Sequence, residues 1–322
     1  MMRYSYCGNS GVQLPKISLG FWHNFGFVDD YETAREMVMY AFDQGVTHFD
    51  LANNYGPPPG SAESNFGKIL KENLSSHRDE MIISSKAGHL MWEGPYGDGS
   101  SRKYLMASIN QSLKRTGLEY FDIFYSHRYD PNTPVEETMQ ALVDIVRQGK
   151  ALYIGLSKYP PLQARIAMSY LKERDVPSLI FQDKYSMFNR QPEKDILGIT
   201  REFGSGFIGF SPLAQGILTD KYLQGIPADS RAAKPTGFLQ RGQVTSLLVE
   251  KVRQLSVMAE QRGQTMAELA LAWALRDDRV TSLIVGARNL EQLKDNLKAL
   301  QKTSFSIEEL ERIDTILDGA TL

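Results

Sequence analysis

The stretch GVTHFDLANNYG, residues 45–56, ends an apolar run on Asp50 and presents Tyr55 one short loop later. Two other apolar runs of strand length finish in the same manner, MIISSKA near Lys86 and FDIFYSH on His127. Taken singly, each of these residues is read as readily as a strand cap or a solvated side chain. As a set they make chemical sense. A phenol, with a pKa of roughly 10, is a weak proton donor at neutral pH, and a neighbouring cation that stabilises the phenolate makes it usable. Lys86 can be that cation, and Asp50 the carboxylate that keeps a partly desolvated lysine charged. His127 can donate a hydrogen bond to a substrate oxygen. Such a relay suits protonation of a carbonyl oxygen as hydride arrives at its carbon.

Strand-length apolar runs alternate with longer amphipathic stretches along most of the chain. The expected strands are 16–22, 47–52, 81–87, 121–127, 151–157, 179–184, 207–213 and 281–287. Helices are expected over Tyr31 to Gln44, Ala62 to Leu74, Arg102 to Thr116, Pro134 to Arg147 and Pro161 to Arg174, with Gly117 and Gly149 as terminators. Eight such units and no low-complexity linker predict one α/β domain over residues 1–322, a closed (β/α)8 TIM barrel. Working residues in that architecture stand at the C-terminal ends of strands, where Asp50, Lys86 and His127 fall. Residues 3–15 read as a hairpin capping one end, with its turn near Gly8 to Gly11. The segment 214–244 is long, polar and rich in Gly and Pro, which marks a functional or disordered loop.

The chain has 322 residues, 42% of them hydrophobic and 23% charged, with a net charge of -2. That is an ordinary globular composition without the basic excess of a nucleic-acid binder. The lone Cys7 cannot form an internal disulfide, the N-terminus has no signal or transit pattern, and no apolar run approaches a membrane span. A cytoplasmic location is expected, and no Cys/His cluster suggests a metal.

The motifs THFDLANNYG, IISSKAG, DIFYSHR and SPLAQGILTDKY, in that order, resemble the aldo-keto reductase superfamily. The likeness runs from LPKISLGFW to EQLKDNLKAL. Through LANNYGPPPGSAE and GPYGDGSSRKYL the chain is similar to a bacterial branch related to glyceraldehyde-3-phosphate reductases and near the potassium channel beta subunits. The resemblance implies a catalytic tetrad of Asp50, Tyr55, Lys86 and His127, and NADPH extended across the barrel mouth. It implies that Ser157 and Gln182 bond the carboxamide and that Phe210 stacks on the nicotinamide, core packing being the other reading of Phe210. It further implies that Ser211, Leu213, Gly216 and Lys221 wrap the pyrophosphate, making 214–244 a cofactor strap. The adenosine half falls to Gly286, Arg288, Gln292, Asp295 and Asn296. Arg288 stands where relatives carry serine; a guanidinium suits a 2′-phosphate, unless it is simply solvated. Lys158 stands where many members have asparagine, which leaves that carboxamide contact open and frees Lys158 to face the pocket. GSGFIG, residues 204–209, fits the doubly wound dinucleotide pattern but precedes a strand instead of following one, so it reads as a helix terminator plus close strand packing.

Trp22, His23, Trp92, Tyr96, Arg128 and Lys158 lie in loops expected to wall the substrate site. Aromatic walls suit a small aldehyde or ketone. Arg128 and Lys158 can bind a terminal phosphate, as in glyceraldehyde 3-phosphate, or be exposed residues or cofactor neighbours; methylglyoxal fits the same pocket. Relatives imply a homo-oligomer, a tetramer or larger. An oligomeric, nicotinamide-binding regulatory subunit like the channel beta subunits is the alternative function.

Overall fold

The computed structural model describes residues 2–228, 230–233 and 239–319. Its first two strands, β1 (Tyr4–Tyr6) and β2 (Gln13–Pro15), pair antiparallel with Tyr4 opposite Pro15. Eight parallel strands follow: β3 (Ile17–Gly20), β4 (His48–Asp50), β5 (Ile82–Ala87), β6 (Phe121–Ser126), β7 (Ala151–Ser157), β8 (Ser178–Lys184), β9 (Gly206–Phe210) and β10 (Ser282–Val285). They close into a barrel because β10 pairs with both β9 and β3. All eight expected strands are present; 47–52 shortens to β4, and 207–213 ends at Phe210.

The enclosing helices are α1 (Tyr31–Asp43), α2 (Ser61–Ile69), α3 (Arg102–Thr116), α4 (Val135–Arg147), α5 (Pro161–Lys172), α6 (Gln191–Lys194), α7 (Ile196–Phe203), α8 (Ser246–Gln261), α9 (Met266–Ala274), α10 (Leu290–Lys298) and α11 (Ile307–Leu317). Their ends follow from local chemistry. Asp30 and Ser101 accept from the backbone N–H groups of Thr33 and Tyr104, and Gly117 ends α3 at φ 72. The expected helix Ala62 to Leu74 is α only to Ile69 and then widens through a π-type turn to Leu74.

The hairpin shuts the end of the barrel opposite the site. Cys7 and Leu14 are fully buried against Ile123, Tyr125, Ile180, Ile208 and Ile284 of the barrel strands. The turn requires glycine at position 8, where φ is 55 and a Cβ would stand 2.1 Å from the Gly204 carbonyl oxygen. Gly204 ends α7 in the left-handed region, and Gly206 and Gly209 pack tightly against Thr281, Cys7, Leu283 and Tyr185, so 204–209 is a terminator followed by close strand packing.

The described residues of segment 214–244 include short helical turns anchored by buried Ile217, Leu218, Tyr222 and Leu239. Part of the expected strap, positions 229 and 234–238, lies outside the described residues.

Candidate active site

β4 delivers Asp50 into the barrel, and the chain then continues pairing with β5: the Leu51 N–H donates to the Ser84 carbonyl and the Asn53 N–H to the Lys86 carbonyl. Tyr55 follows, its carbonyl accepting from the N–H groups of Gly60 and Ala62 at the start of α2. The loop is thus fixed at both ends and presents a half-buried phenol to the mouth.

Lys86, fully buried, donates from Nζ to Asp50 Oδ2 at 2.6 Å and to the Leu51 carbonyl at 2.6 Å. Its Nζ lies 5.1 Å from the Tyr55 ring centroid. The His127 ring is 5.8 Å from that of Tyr55, nearly perpendicular to it, and the His127 N–H donates to the Ala87 carbonyl. Ser84 Oγ and Gln182 Nε2 both donate to Asp50 Oδ1, at 2.7 and 3.3 Å. The four residues expected to act together are brought together from β4, its loop, β5 and the end of β6.

Burial dominates the electrostatics. It pushes Lys86 below its usual range, and the Asp50 carboxylate opposes that shift. It pushes the His127 imidazole well below 6.5, helped by the charges of Lys86 and Lys158. The expectation that Lys86 leaves the phenol easier to ionise is corrected. Burial, and then the Asp50 charge, push Tyr55 well above its ordinary value of 10.0, because Lys86 is already committed to Asp50. A phenol that keeps its proton is still a competent acid toward an alkoxide, which is far more basic.

A row of groups continues across the mouth. The His89 ring meets that of His127 at 4.5 Å, and Lys158 Nζ bonds His89 Nε2 at 3.1 Å. Lys158 Nζ also lies 5.8 Å from the Phe210 ring centroid, and its backbone is left-handed at φ 54. Burial lowers Lys158 from 10.5 to about 8, and His89 to about 4. Arg128 does not stand open to the pocket: it donates to the Gly88 carbonyl at 2.7 Å and pairs with Asp98 at 2.8 Å. Trp92 packs on Tyr104, Trp22 on His23, and Tyr96 is exposed beside Lys103.

The residues fit a nicotinamide dinucleotide. Ser157 Oγ, at the end of β7, is buried without a hydrogen-bond partner among the described residues. It is level in the sheet with Gln182 on β8, and Phe210 ends β9 beyond them. Ser211, Ala214, Gln215 and Gly216 all have positive φ, at 54, 47, 59 and 99. Left-handed backbone outside glycine is strained by about 1–3 kcal/mol per residue and concentrates at functional segments. Within that segment the Leu213 carbonyl accepts from the Gly216 N–H, and Lys221 lies within a further turn, Asp220–Tyr222. A Cβ at Gly286 would meet nothing. Arg288 is exposed before α10, its N–H donating to Gln292 Oε1 at 3.0 Å. Asp295 is taken by Lys298 at 2.7 Å, and Asn296 is buried.

A profile described as the aldo/keto reductase family matches residues 16–318. The chain belongs to that family. Its members are oxidoreductases that generally use NAD(P)H. The chain is 55% identical over 324 residues to the L-glyceraldehyde 3-phosphate reductase of Escherichia coli strain K12, spanning 99% of this chain and 93% of that one. It is 36% identical to a probable voltage-gated potassium channel subunit beta of Oryza sativa subsp. japonica, over 99% and 97% of the two chains. A counterpart in Arabidopsis thaliana is 34% identical over 97% and 96%. Among the described residues no helix of this family member is long and apolar enough to cross a membrane.

Sequence reasoning missed Ser84 and His48 beneath Asp50, His89 beside Lys158, and Arg231, which burial and the Arg288 charge push below the usual arginine range. The first two were within reach: His48 and Ser84 precede Asp50 and Lys86 by two positions, and alternate residues of a strand share a face.

Proposed function

We propose that this protein reduces small aldehydes to alcohols with NADPH, Tyr55 donating the proton. The observation that carries the reading is the Asp50–Lys86 pair, buried at 2.6 Å, with the Tyr55 and His127 rings converging above it. When bound, the reduced nicotinamide supplies the hydride. Tyr55 gives its proton to the carbonyl oxygen as negative charge develops there, with the Lys86 ammonium 5.1 Å from its ring centroid. Asp50 keeps Lys86 charged, and His127 orients the carbonyl. Ser157 and Gln182 would hold the carboxamide, Phe210 would stack on the nicotinamide, and segment 214–244 would strap the pyrophosphate through Ser211, Leu213, Gly216 and Lys221.

The positive charge of Arg288 is felt at Arg231, which burial first and then that charge hold below the usual arginine range, so this neighbourhood is cationic. This supports a 2′-phosphate and hence NADPH over NADH. Replacing Arg288 with Ala should reduce the kcat/KM ratio of NADPH to NADH by roughly 10- to 100-fold, the scale of one charged hydrogen bond. A ratio near one in the natural protein sinks the assignment.

For the substrate we favour glyceraldehyde 3-phosphate, with methylglyoxal as an uncharged candidate for the same pocket. Lys158 then carries the anion contact, since Arg128 is engaged by Asp98. A homo-oligomer in the cytoplasm and a single functional unit over the chain complete the proposal. The test is NADPH consumption by purified protein with a panel of small aldehydes. Bound NADPH without turnover of any aldehyde would favour a second reading, a regulatory subunit, suggested by the 36% identity to a channel subunit beta.

A further inference from the structure

The interior layers of such barrels are generally filled by branched apolar side chains. In this chain one half conforms, with Ile123, Ile180 and Ile208 on β6, β8 and β9. The other half, on four adjoining strands beneath Asp50 and Lys86, holds Ser282, Ser18, His48 and Ser84, each fully buried. They are linked end to end. Ser282 Oγ and Ser18 Oγ are 2.7 Å apart, Ser18 Oγ and His48 Nδ1 2.9 Å, His48 Nε2 and Ser84 Oγ 3.1 Å, and Ser84 Oγ and Asp50 Oδ1 2.7 Å.

The direction of this chain follows from its last member. Asp50, paired with Lys86, is a carboxylate and only accepts, so Ser84 donates to it; the Phe49 carbonyl, at 3.5 Å, is the weaker alternative. The Ser84 oxygen then receives from His48, which places the imidazole proton on Nε2. Nδ1 accepts from Ser18, and Ser18 from Ser282. Burial, with the charge of Lys86, lowers His48 to about 4, so the ring is neutral at working pH and the sense cannot reverse by a second proton. Every bond in the series points its positive end at Asp50.

The geometry points to His48 as a positioning residue for the reaction: the series Ser282–Ser18–His48–Ser84 fixes Asp50 as the acceptor that holds Lys86 under Tyr55. This rests on the catalytic reading of Asp50, Lys86 and Tyr55. Aligned hydrogen bonds in a low-dielectric interior polarise one another, and a partly satisfied network is costly, so loss of the ring is felt at the carboxylate two bonds away. The charged and titratable groups facing Asp50 are Lys86 from β5, Tyr55 from the β4 loop, Tyr125 from β6 and His48 itself. Glu63 of α2 lies behind Lys86, Cys7 of the hairpin faces Tyr125, and the neutral Gln182 completes the surround.

The test uses the full chain with His48→Leu, His48→Gln and Ser84→Ala. In 15N-histidine-labelled natural protein, His48 is expected as the Nε2–H tautomer, remaining neutral to about pH 4; an Nδ1–H tautomer overturns the inference. In His48→Leu, kcat should fall about tenfold, the scale of one charge-assisted bond, with NADPH affinity unchanged and the acid limb of the kcat profile moved to higher pH. Ser84→Ala should give the same displacement should the leucine variant not fold. Glutamine, whose amide can still donate to Ser84, should bring the limb back toward its natural position. A purely structural role predicts lower thermal stability with an unmoved limb, and that result overturns the inference. If the natural protein reduces no aldehyde, the functional reading fails by itself. The 15N tautomer of His48 still decides the present point, Nε2–H supporting it and Nδ1–H rejecting it.

Discussion

In the proposed reaction Tyr55 is the proton donor, and neither carrier of charge beneath it stands in: Lys86 is held by Asp50 and Leu51, and Asp50 by Ser84 and Gln182. Tyr55→Phe should therefore lower kcat by at least about 100-fold, the usual contribution of a positioned acid, while fluorescence titration shows NADPH still bound. Retention of most turnover would remove Tyr55 from that role. Lys158 supports a sharper test, since its ammonium titrates at about 8 and lies among His89, Arg128, Lys86 and Asp183. Below that pH it is charged and can grip a phosphate; above it the grip is lost. The preference for glyceraldehyde 3-phosphate over glyceraldehyde, measured as a kcat/KM ratio, should decline as pH rises through that value. It should fall about tenfold in Lys158→Met at neutral pH, and a ratio indifferent to both changes rejects the phosphate contact. The meeting of Asp50, Lys86 and His127 at one mouth was legible because they stand at the ends of consecutive strands, with Tyr55 in the loop after the first. The engagement of Arg128 was not, since Asp98 reaches it from a different loop.

The barrel strands were readable as runs because most are buried on both faces, β7 exposing Leu152 and Tyr153 near its start, and their order followed from the alternation with helices. What the pattern could not show was where a helix loosens. Nothing in LKENL distinguishes the π-type turn of residues 70–74 from an ordinary α-turn, since the widening is set by packing. Glycine was more informative. Gly8 has φ 55 and no space for a Cβ beside Gly204, which itself ends α7. Gly8→Ala should cost about 2 kcal/mol or more, combining left-handed strain with a backbone collision. The measurement is the denaturant midpoint, and a variant as stable as the natural chain would show that the hairpin turn shifts freely.

Acid should weaken the entire fold. An unfolded histidine takes its proton near 6.5, whereas burial delays this to about 4 for His48 and His89, and holds His127 well below 6.5. The unfolded chain therefore binds more protons in that window. The stability these rings contribute is complete above pH 6.5 and drains away as pH falls toward 4. His48 alone accounts for roughly 3 kcal/mol of it. Asp183 and Asp122 act oppositely, burial having raised both and the first from 3.8 to about 6, but two carboxyls do not offset three imidazoles. Urea midpoints should accordingly decline from about pH 7 to about pH 5, and a flat profile would contradict the burial of these rings. The hairpin that closes the far end of the barrel has a different consequence. With Cys7 and Leu14 plugging the base, what reaches Tyr55 and what leaves it share, among the described residues, the doorway at the mouth. A large dinucleotide and a small aldehyde using that doorway must queue: the molecule lying deeper arrives first and departs last.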